Sequence, residues 1–188
     1  MTQQVLRLKK TVVMVGMMGA GKTAVGTALA KLIGVPFVDS DDEISRAADR
    51  SIPEIFTRDG EAFFRARETE VLARLLRSAP AILSTGGGAF LSQTNRDLIR
   101  ASGISVWLRV DLDLLWQRVR HKASRPLLQT PNPRETLRAL YEARLPFYQQ
   151  ADLVVDSAVH LSVDAMAQRV AEALALREDA VQRVDNDD

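Results

Sequence analysis

The most constraining feature of the sequence is a short apolar strand pattern that runs directly into a glycine-rich loop and then a helix. Thr11–Val15 is a β-branched, apolar run that stops at Gly16, which indicates a strand buried on both faces of a parallel sheet. Residues 16–23 read Gly-Met-Met-Gly-Ala-Gly-Lys-Thr and match the phosphate-binding loop pattern. The alternative is a glycine-rich turn that binds nothing. The flanking strand and helix disfavour it, because they are the context that a phosphate-binding loop requires.

Individual positions of this loop have specific chemical roles in the pattern. The Lys22 ammonium would reach the β- and γ-phosphates of a nucleotide, and the Thr23 hydroxyl would be a ligand of Mg²⁺. Gly19, Ala20 and Gly21 would present backbone N–H groups to phosphate oxygens, at the positive end of the helix that follows. The sequence therefore predicts binding of ATP together with Mg²⁺.

Strand and helix patterns alternate along the rest of the chain. Four further short apolar runs predict strands at residues 36–38, 81–83, 104–108 and 153–155. Helical patterns occupy about residues 22–33, 42–78, 111–120, from 134 onward, and 162–177. This alternation predicts one α/β domain with a mostly parallel sheet. In such sheets ligands bind beyond the carboxyl ends of the strands, where this sequence has Gly16, Asp39 to Asp41 and Gly86 to Gly88.

The two ends of the chain carry weaker patterns than its centre. Residues 1–10 are polar and are expected to be frayed, so the predicted core spans about residues 11–177. The tail, residues 178–188, ends in an acidic run and is expected to be disordered.

Composition excludes several classes of function. Lys plus Arg total 25 and Asp plus Glu total 24, so a net charge of +1 gives no reason to expect nucleic acid or an anionic membrane as a partner. The chain has no Cys, which excludes thiolate zinc sites and fits a reducing compartment. Its start has no signal-peptide pattern, and no apolar stretch reaches the roughly 18 residues of a membrane span. We therefore expect a cytoplasmic protein, and a monomer.

Two aspartates follow the second predicted strand. Asp39 stands at the strand end, as expected of a carboxylate that orients Mg²⁺-bound water in phosphoryl transfer. Asp41, two residues later, could accept a proton from an attacking hydroxyl. The alternative for Asp41 is capping of the helix that follows, and capping and catalysis are compatible for neighbouring carboxylates.

Charged side chains interrupt two otherwise apolar helix faces. Glu68 lies on the apolar stripe of one helix with Arg65 three residues before it, and Arg144 lies on the apolar face of another. A surface ion pair remains the alternative for Arg65 and Glu68. Two such arginines suggest a pocket for an anionic small molecule, because Arg binds carboxylates through two parallel hydrogen bonds. Pro146 is expected to kink or end the second helix.

A glycine run and a basic loop complete the candidate site. Gly86 to Gly88 follow the third predicted strand and offer backbone N–H groups and room for a ligand, with a flexible turn as the alternative. Arg118 and Arg125 flank or lie within a proline-containing loop at about residues 121–133. A basic lid over phosphates and a solvated basic face are both open at this point.

These motifs occur in one order along the chain. They are Gly-Met-Met-Gly-Ala-Gly-Lys-Thr, Asp-Ser-Asp at 39–41, Ile-Phe at 55–56, Gly-Glu at 60–61, Phe-Arg-x-x-Glu at 64–68, Gly-Gly-Gly at 86–88, Arg-Pro-Leu-Leu at 125–128 and Arg-x-Pro-x-Tyr at 144–148. In this order, from about residue 11 to 157, the chain closely resembles the shikimate kinase family. The phosphate loop alone is generic, whereas the combination is specific.

The resemblance implies an architecture and an activity. Shikimate kinases have a nucleoside-monophosphate-kinase-like fold with a five-stranded parallel sheet in the order 2-3-1-4-5. They transfer the γ-phosphate of ATP to the 3-hydroxyl of shikimate, in chorismate and aromatic amino acid biosynthesis. By match, the chain would be a single kinase domain with a shikimate-binding subdomain at about residues 40–68 and a lid at about residues 120–132.

The resemblance also implies roles for substrate-binding residues. Asp41 would hold and deprotonate the 3-hydroxyl of shikimate. Arg65 and Arg144 would clamp its carboxylate, with Gly87 and Gly88 close to the substrate.

The remaining matched residues would serve the nucleotide. Lys22, Thr23 and Asp39 would serve ATP and Mg²⁺. Arg125 would reach the phosphates from the lid, and Arg118 would lie against adenine.

Two alternative functions stay open from the residues. A kinase of another small hydroxy acid, such as gluconate, would share the phosphate loop but has no reason to keep both Arg65 and Arg144 beside Asp41. A nucleotide-binding module without turnover would be expected to lose Asp41, Lys22 or Arg125, and all three are present.

Overall fold

Five parallel strands form the central sheet in this computed structural model, which describes residues 4–122 and 129–185. In chain order the strands are β1 Gln4–Leu8, β2 Thr11–Val15, β3 Phe37–Asp39, β4 Ile82–Ser84, β5 Gly103–Arg109, β6 Leu153–Asp156 and β7 Val181–Asp185. The central sheet has the order β3-β4-β2-β5-β6, and its neighbouring strands are parallel. Numbered among themselves, these five strands have the order 2-3-1-4-5, which confirms the predicted fold and strand order.

Helices flank the sheet and connect its strands. They are α1 Lys22–Ile33, α2 Ser40–Ala48, α3 Ile52–Asp59, α4 Glu61–Leu76, α5 Gln93–Ser102, α6 Leu112–Val119, α7 Pro133–Tyr148 and α8 Val163–Leu174, with a short 3-10 helix at Ala89–Leu91. The helical pattern at 42–78 is divided into three helices, because Asp49 and Gly60 adopt φ values of 51° and 85° that end a right-handed helix. Helix α5 was not among the predicted helices.

The buried apolar strands explain the position of the sheet in the core. All five residues of β2 are buried, and β5 is buried up to its last residue. Successive side chains of a strand point to opposite faces of the sheet. When helices cover both faces, all of these side chains are buried and a continuous apolar run results. The continuous run Thr11–Val15 therefore occupies the centre of the sheet, and its carboxyl end points the glycine loop toward the same edge as the ends of β3 and β4.

The ends of the described chain form a second sheet, and here the sequence prediction was wrong. β1 and β7 pair as an antiparallel ribbon, with Leu8 opposite Val181. Both of those side chains are buried, and Ala180 is fully buried beside them. Residues 4–8 and 181–185 are therefore ordered, whereas residues 186–188 of the expected disordered tail lie outside the described residues. Neither segment can bury its apolar side chains alone, so the pattern of one short segment does not reveal the pairing.

Helices α2, α3 and α4 enclose a small core of their own. Ile44, Ile55, Phe64 and Val71 are buried together, separate from the main core around β2 and β5. A capping box at the start of α3 fixes the turn before it, since Ser51 Oγ accepts from the Glu54 N–H and Glu54 accepts from the Ser51 N–H. This small core spans the segment predicted as the substrate-binding subdomain.

Helix α7 continues through its proline. Pro146 was expected to kink or end the helix, but the helix extends to Tyr148. A proline in the last turn removes only one N–H donor, and the Tyr148 side chain is anchored by a hydrogen bond to the Gly87 carbonyl of 2.6 Å. The last turn is therefore held by a tertiary contact. Within residues 4–122 and 129–185, none of the helices is both long enough and apolar enough to span a bilayer.

Candidate active site

The glycine-rich loop between β2 and α1 has the backbone conformation of a phosphate cradle. Gly16, Gly19 and Gly21 have φ values of 143°, 78° and 94°, which side chains with a Cβ rarely adopt. The Lys22 ammonium is buried in the loop and donates hydrogen bonds to the carbonyls of Gly16 at 2.6 Å and Met17 at 3.0 Å. Among the described residues no side chain caps the start of α1, which leaves its first N–H groups available to an anion.

A cleft of about 680 Å³ opens at the carboxyl edge of the sheet. Its walls include the phosphate loop, the aspartates after β3 and the glycine run after β4, so three features predicted from strand ends lie together. Arg118 of α6 lines the same cleft. The cleft is large enough for a nucleotide-sized ligand.

Asp39 caps helix α2 and faces the phosphate loop at the same time. Its Oδ1 accepts hydrogen bonds from the N–H groups of Asp41 at 2.9 Å and Asp42 at 3.3 Å. Its Oδ2 lies 3.5 Å from the Thr23 hydroxyl. Asp39, and not Asp41, is therefore the residue that caps α2. The Asp41 carboxylate is left for another role.

The Asp41 carboxylate lies in the first turn of α2 and points into the cleft. Its Oδ1 is buried and has no hydrogen-bond partner among the described residues. Burial raises the pKa of Asp41, the charge of Asp39 raises it further, and Lys22 and Arg65 oppose the shift. A buried carboxylate with an unused oxygen and an elevated pKa has the properties of a proton acceptor.

Each glycine of the run 86–88 faces a different charged side chain. A Cβ added to Gly86 would lie 3.1 Å from Oδ1 of Asp41, and one added to Gly87 would lie 2.9 Å from Nη1 of Arg144. A Cβ added to Gly88 would lie 2.5 Å from Nη2 of Arg65. The absence of three successive side chains therefore lets one carboxylate and two guanidinium groups approach the same stretch of backbone.

Arg65 of α4 reaches Gly88 while it is paired to a buried glutamate. Its Nη1 donates to Glu68 Oε1 at 2.8 Å, and the guanidinium lies 5.2 Å from the centre of the Phe64 ring. Glu68 is only 2% exposed, and its Oε2 has no hydrogen-bond partner among the described residues. Burial raises the pKa of Glu68, although Arg65 opposes this shift. The pair is thus more than the surface ion pair left open from the sequence.

Arg144 approaches Gly87 from helix α7. Tyr148, one turn later on the same helix, donates its hydroxyl to the Gly87 carbonyl at 2.6 Å. Burial raises the pKa of the Tyr148 hydroxyl, and the nearby Arg144 charge acts in the opposite direction. Arg144 and Arg65, which are 79 residues apart in sequence, therefore come to adjacent residues of one glycine run.

Arg118 and Arg125 are the two arginines predicted to contact the nucleotide, and Arg118 lines the cleft. Arg118 Nη1 lies 3.2 Å from the Gly19 carbonyl and 3.3 Å from the Ala20 carbonyl, and Nη2 lies 3.4 Å from Ser157 Oγ. It thus joins α6 to the phosphate loop. Arg125, and with it part of the predicted lid, lies outside the described residues.

Sequence reasoning missed the specific contacts of three residues in the site. The glycine run was predicted as a whole to give room for a ligand, but Gly86 was not matched to Asp41, for which it makes room. Tyr148 entered only as part of the motif at 144–148, and Ser157 was not considered. The glycine run was a usable signal for Gly86, because three adjacent glycines imply three close approaches. A hydroxyl that binds a distant carbonyl leaves no mark in local sequence.

A family model for shikimate kinases matches residues 18–175 of this chain. The chain belongs to the shikimate kinase family. A shikimate kinase from Cereibacter sphaeroides is 67% identical over 180 residues, which cover 96% of this chain and 90% of the relative. One from Ruegeria pomeroyi is 65% identical over 175 residues, which cover 93% of this chain and 90% of the relative.

Solved structures agree with the family assignment. The structure of a shikimate kinase from Acinetobacter baumannii in complex with shikimate is 39% identical, with a TM-score of 0.83 over 90% of this chain and 94% of the other. A gluconokinase from Sinorhizobium meliloti is 19% identical, with a TM-score of 0.54 over 90% of this chain and 97% of that one. The second likeness is one of fold alone, so gluconate is not favoured over shikimate.

Proposed function

We propose that this member of the shikimate kinase family transfers the γ-phosphoryl group of ATP to the 3-hydroxyl of shikimate, and that the residues named below carry out the reaction. The observation that carries the assignment of residues is the glycine run, against which Asp41, Arg144 and Arg65 converge beside the phosphate loop. A carboxylate that accepts a proton and two guanidinium groups that bind an acid are the groups that a hydroxy-acid kinase needs.

Arg65 and Arg144 bind the shikimate carboxylate in this proposal. Two guanidinium groups that approach adjacent backbone positions can each donate to one carboxylate. Arg65 Nη1 donates to Glu68 Oε1 and Arg65 Nε lies 3.6 Å from Glu61 Oε1, so Nη2 is the nitrogen of Arg65 that we assign to the substrate. Gly87 and Gly88 leave room for the substrate at this point, because any larger residue would contact the arginines.

The 3-hydroxyl oxygen of shikimate attacks the γ-phosphorus while Asp41 accepts the hydroxyl proton. The bond from the γ-phosphorus to the ADP oxygen breaks in the same reaction. The raised pKa of Asp41 favours this step, because a base accepts a proton more readily as its pKa approaches the working pH. Its unpaired Oδ1 supports this role.

Residues of the phosphate loop and α6 bind the nucleotide. The N–H groups from Gly19 to Thr23 surround the phosphates, and Lys22 stabilises charge that develops on them during transfer. Arg118 is proposed to lie against the adenine, as the family resemblance implies, and it lines the cleft beside the phosphate loop.

Thr23 and Asp39 fit a magnesium ion that accompanies ATP. Both supply hard oxygen ligands, and Asp39 keeps Oδ2 on the side of the Thr23 hydroxyl while Oδ1 caps α2. The described part of the chain has no group of three or more His, Asp or Glu residues that could hold a metal, which suits an ion held largely by phosphate and water. When bound, Mg²⁺ neutralises charge on the phosphate oxygens.

Arg125 and the lid enter the proposal from the sequence alone. We propose that residues at about 120–132 close over bound ATP and that Arg125 contacts its phosphates, as the family resemblance implies. A closed lid would exclude water and so prevent hydrolysis of ATP. A cytoplasmic location and a monomeric state are also proposed from the sequence. The absence of Cys fits the reducing conditions of the cytoplasm.

A coupled assay of ADP release tests the substrate. Shikimate should support turnover and gluconate should not. Shikimate methyl ester keeps the 3-hydroxyl but loses the charge, so its kcat/KM should be at least about 10²-fold lower, since each 1.4 kcal/mol is tenfold. Arg144→Ala should cause a similar loss with shikimate and a much smaller loss with the ester. Equal efficiency with acid and ester would remove the role proposed for the two arginines.

The same assay tests the proposed base. Asp41→Asn keeps the shape of the side chain and removes the proton acceptor, so turnover should fall by about 10²–10⁴-fold while shikimate still binds. Binding is measured separately by calorimetry. A change in KM with turnover intact would show that Asp41 only positions the substrate.

A further inference from the structure

A buried arginine outside the cleft has no carboxylate partner among the described residues. Arg96, on α5, is 5% exposed, yet its hydrogen bonds go to neutral groups: Nη1 to the carbonyls of Phe90 at 2.8 Å and Leu91 at 2.9 Å, and Nη2 to Gln93 Oε1 at 2.8 Å. Burial of a cation without a counter-ion costs free energy. We therefore expect the hydrogen bonds of Arg96 to have a role that an apolar side chain could not fill.

Arg96 and its neighbour Asn95 together hold the backbone that follows the glycine run. Asn95 is 1% exposed, and its Nδ2 donates to the Ala89 carbonyl at 2.9 Å. With the two bonds from Arg96, the carbonyls of three successive residues, 89–91, are fixed by two adjacent side chains. Gly88 directly precedes this segment, so its position depends on the same bonds.

Asn95 also connects this backbone to the helix that carries one substrate arginine. The Thr69 hydroxyl donates to Asn95 Oδ1 at 2.7 Å. Thr69 lies on α4 four residues after Arg65, which places it one turn along the same helix. The two functional groups of the Asn95 amide thus link the Arg65 helix to the segment after Gly88.

Arg96 makes the matching connection to the helix that carries the other arginine. Its guanidinium lies 5.1 Å from the centre of the Phe147 ring, within the range of a cation–π interaction. Phe147 lies on α7 three residues after Arg144. Two adjacent side chains therefore join the glycine segment to both arginine helices.

We propose that Asn95 and Arg96 are positioning residues that fix the separation and orientation of Arg65 and Arg144 for a single carboxylate. This inference rests on the proposed function, because it requires that both arginines bind the same acid. Neither Asn95 nor Arg96 lines the cleft, so both act through other groups. Two guanidinium groups on separate helices can bind one carboxylate well only if their spacing is held within a fraction of an ångström.

The experiment compares variants of the full-length enzyme on two substrates. Arg96→Met removes the polar contacts at nearly constant volume, and Asn95→Leu removes them with the same number of side-chain heavy atoms. Both should lower kcat/KM for shikimate between about tenfold and 10²-fold, mainly through KM, while KM for ATP stays unchanged. With shikimate methyl ester the loss should be much smaller, because the positioned groups have lost their partner. Arg100→Met is the matched control. It lies one turn further along α5, is exposed and pairs with Asp97, and it should leave all parameters unchanged.

A purely structural role predicts a different result. The proposal is wrong if the variants lose the same factor with acid and ester, or if only their melting temperature falls. If Arg96→Met does not fold, Thr69→Val decides the matter, since it removes one hydrogen bond at a half-buried position and should still produce a selective loss with the acid. The unmodified enzyme reports separately on the proposed function, because it must itself prefer the acid to the ester.

Discussion

At the scale of single residues, the site depends as much on missing side chains as on those present. Gly88 has φ −96° and ψ −9°, a conformation that any residue can adopt. Its glycine is therefore required by the closeness of Arg65 and not by backbone strain. Gly19 and Gly21 of the phosphate loop differ, since their positive φ angles themselves disfavour a side chain.

Gly88→Ala isolates this effect. The added methyl group would lie 2.5 Å from Nη2 of Arg65, so the guanidinium must move away from the substrate. We expect KM for shikimate to rise by about tenfold or more, the equivalent of 1.4 kcal/mol. KM for ATP and the free energy of unfolding should change little. Steady-state kinetics and urea unfolding measure both, and an unchanged KM for shikimate would show that Arg65 does not bind substrate from this position.

Glu68→Gln should reveal the buried carboxyl through pH. Burial raises the pKa of Glu68 in the folded protein, so this group binds its proton more tightly there than in the unfolded chain. Its contribution to stability is present below the unfolded pKa and is lost as pH rises through the folded pKa. Glutamine does not titrate. The difference in free energy of unfolding should therefore shift in favour of the variant as the pH rises from the ordinary glutamate pKa of about 4 through the raised pKa of the folded protein.

Urea unfolding at several pH values measures that difference. Glu70→Gln on the same helix is the control, because its carboxylate is 60% exposed and should produce a smaller trend. A trend of opposite sign for Glu68→Gln would mean that Arg65 outweighs burial.

At the scale of elements, the terminal ribbon lies at the opposite end of the sheet from the cleft. Its last paired residue, Leu8, is followed closely by the start of β2, whereas the cleft opens where β2 ends. The ribbon also borders Leu32 and Ile33, at the end of α1 that is far from the phosphate loop. Its contribution is therefore expected to be to stability and not to catalysis.

Deletion of residues 178–188 tests this separation. It removes Ala180 and Val181 from the core and exposes Leu8, so the free energy of unfolding should fall by about 2–5 kcal/mol. Both KM values should stay within about twofold, well under the tenfold that 1.4 kcal/mol would produce. Deletion of residues 186–188 alone is the control and should change neither quantity. Kinetic parameters that change with the larger deletion would show that the ribbon is coupled to the cleft.

At the scale of the whole molecule, residues 4–122 and 129–185 form two apolar cores of very different size. The main core surrounds β2 and β5, whereas α2, α3 and the start of α4 depend on the four buried side chains Ile44, Ile55, Phe64 and Val71. Regions with few buried apolar contacts open with a lower free energy than the global unfolding. The region that opens most easily would therefore be the one that carries Asp41 and Arg65.

Amide hydrogen exchange should detect this difference. We expect α2 and α3 to exchange faster than β2 and β5 in the ligand-free protein, and addition of shikimate to slow them, because the substrate contacts α2 and α4 in the proposed complex. Ile55→Val removes one methyl group from the small core at a cost of about 0.5–1.5 kcal/mol. It should speed exchange in residues 40–59 and leave β2 and β5 unchanged. Equal exchange throughout would show that the two cores open as one unit.

Local sequence was sufficient for much of the fold and for most of the site residues. The apolar run Thr11–Val15 predicted the central strand, because burial on both faces of a sheet selects apolar residues at every position. The glycines that follow predicted the phosphate cradle, because positive φ angles favour glycine. The positions of Asp39 and Gly86 after strand ends predicted that both lie at the ligand-binding edge of the sheet, since parallel strands bring their carboxyl ends to one edge.

Only the tertiary structure decided which groups are partners. The ends of the described chain pair as a ribbon, and Tyr148 donates a hydrogen bond to the Gly87 carbonyl. The Asn95 and Arg96 contacts to α4 and α7 belong to the same class. Each of these depends on a hydrogen bond or apolar contact between distant segments, whose free energy appears only after the chain has brought both partners together. Periodicity and capping patterns describe neighbours along the chain, so they carry no information about such pairs.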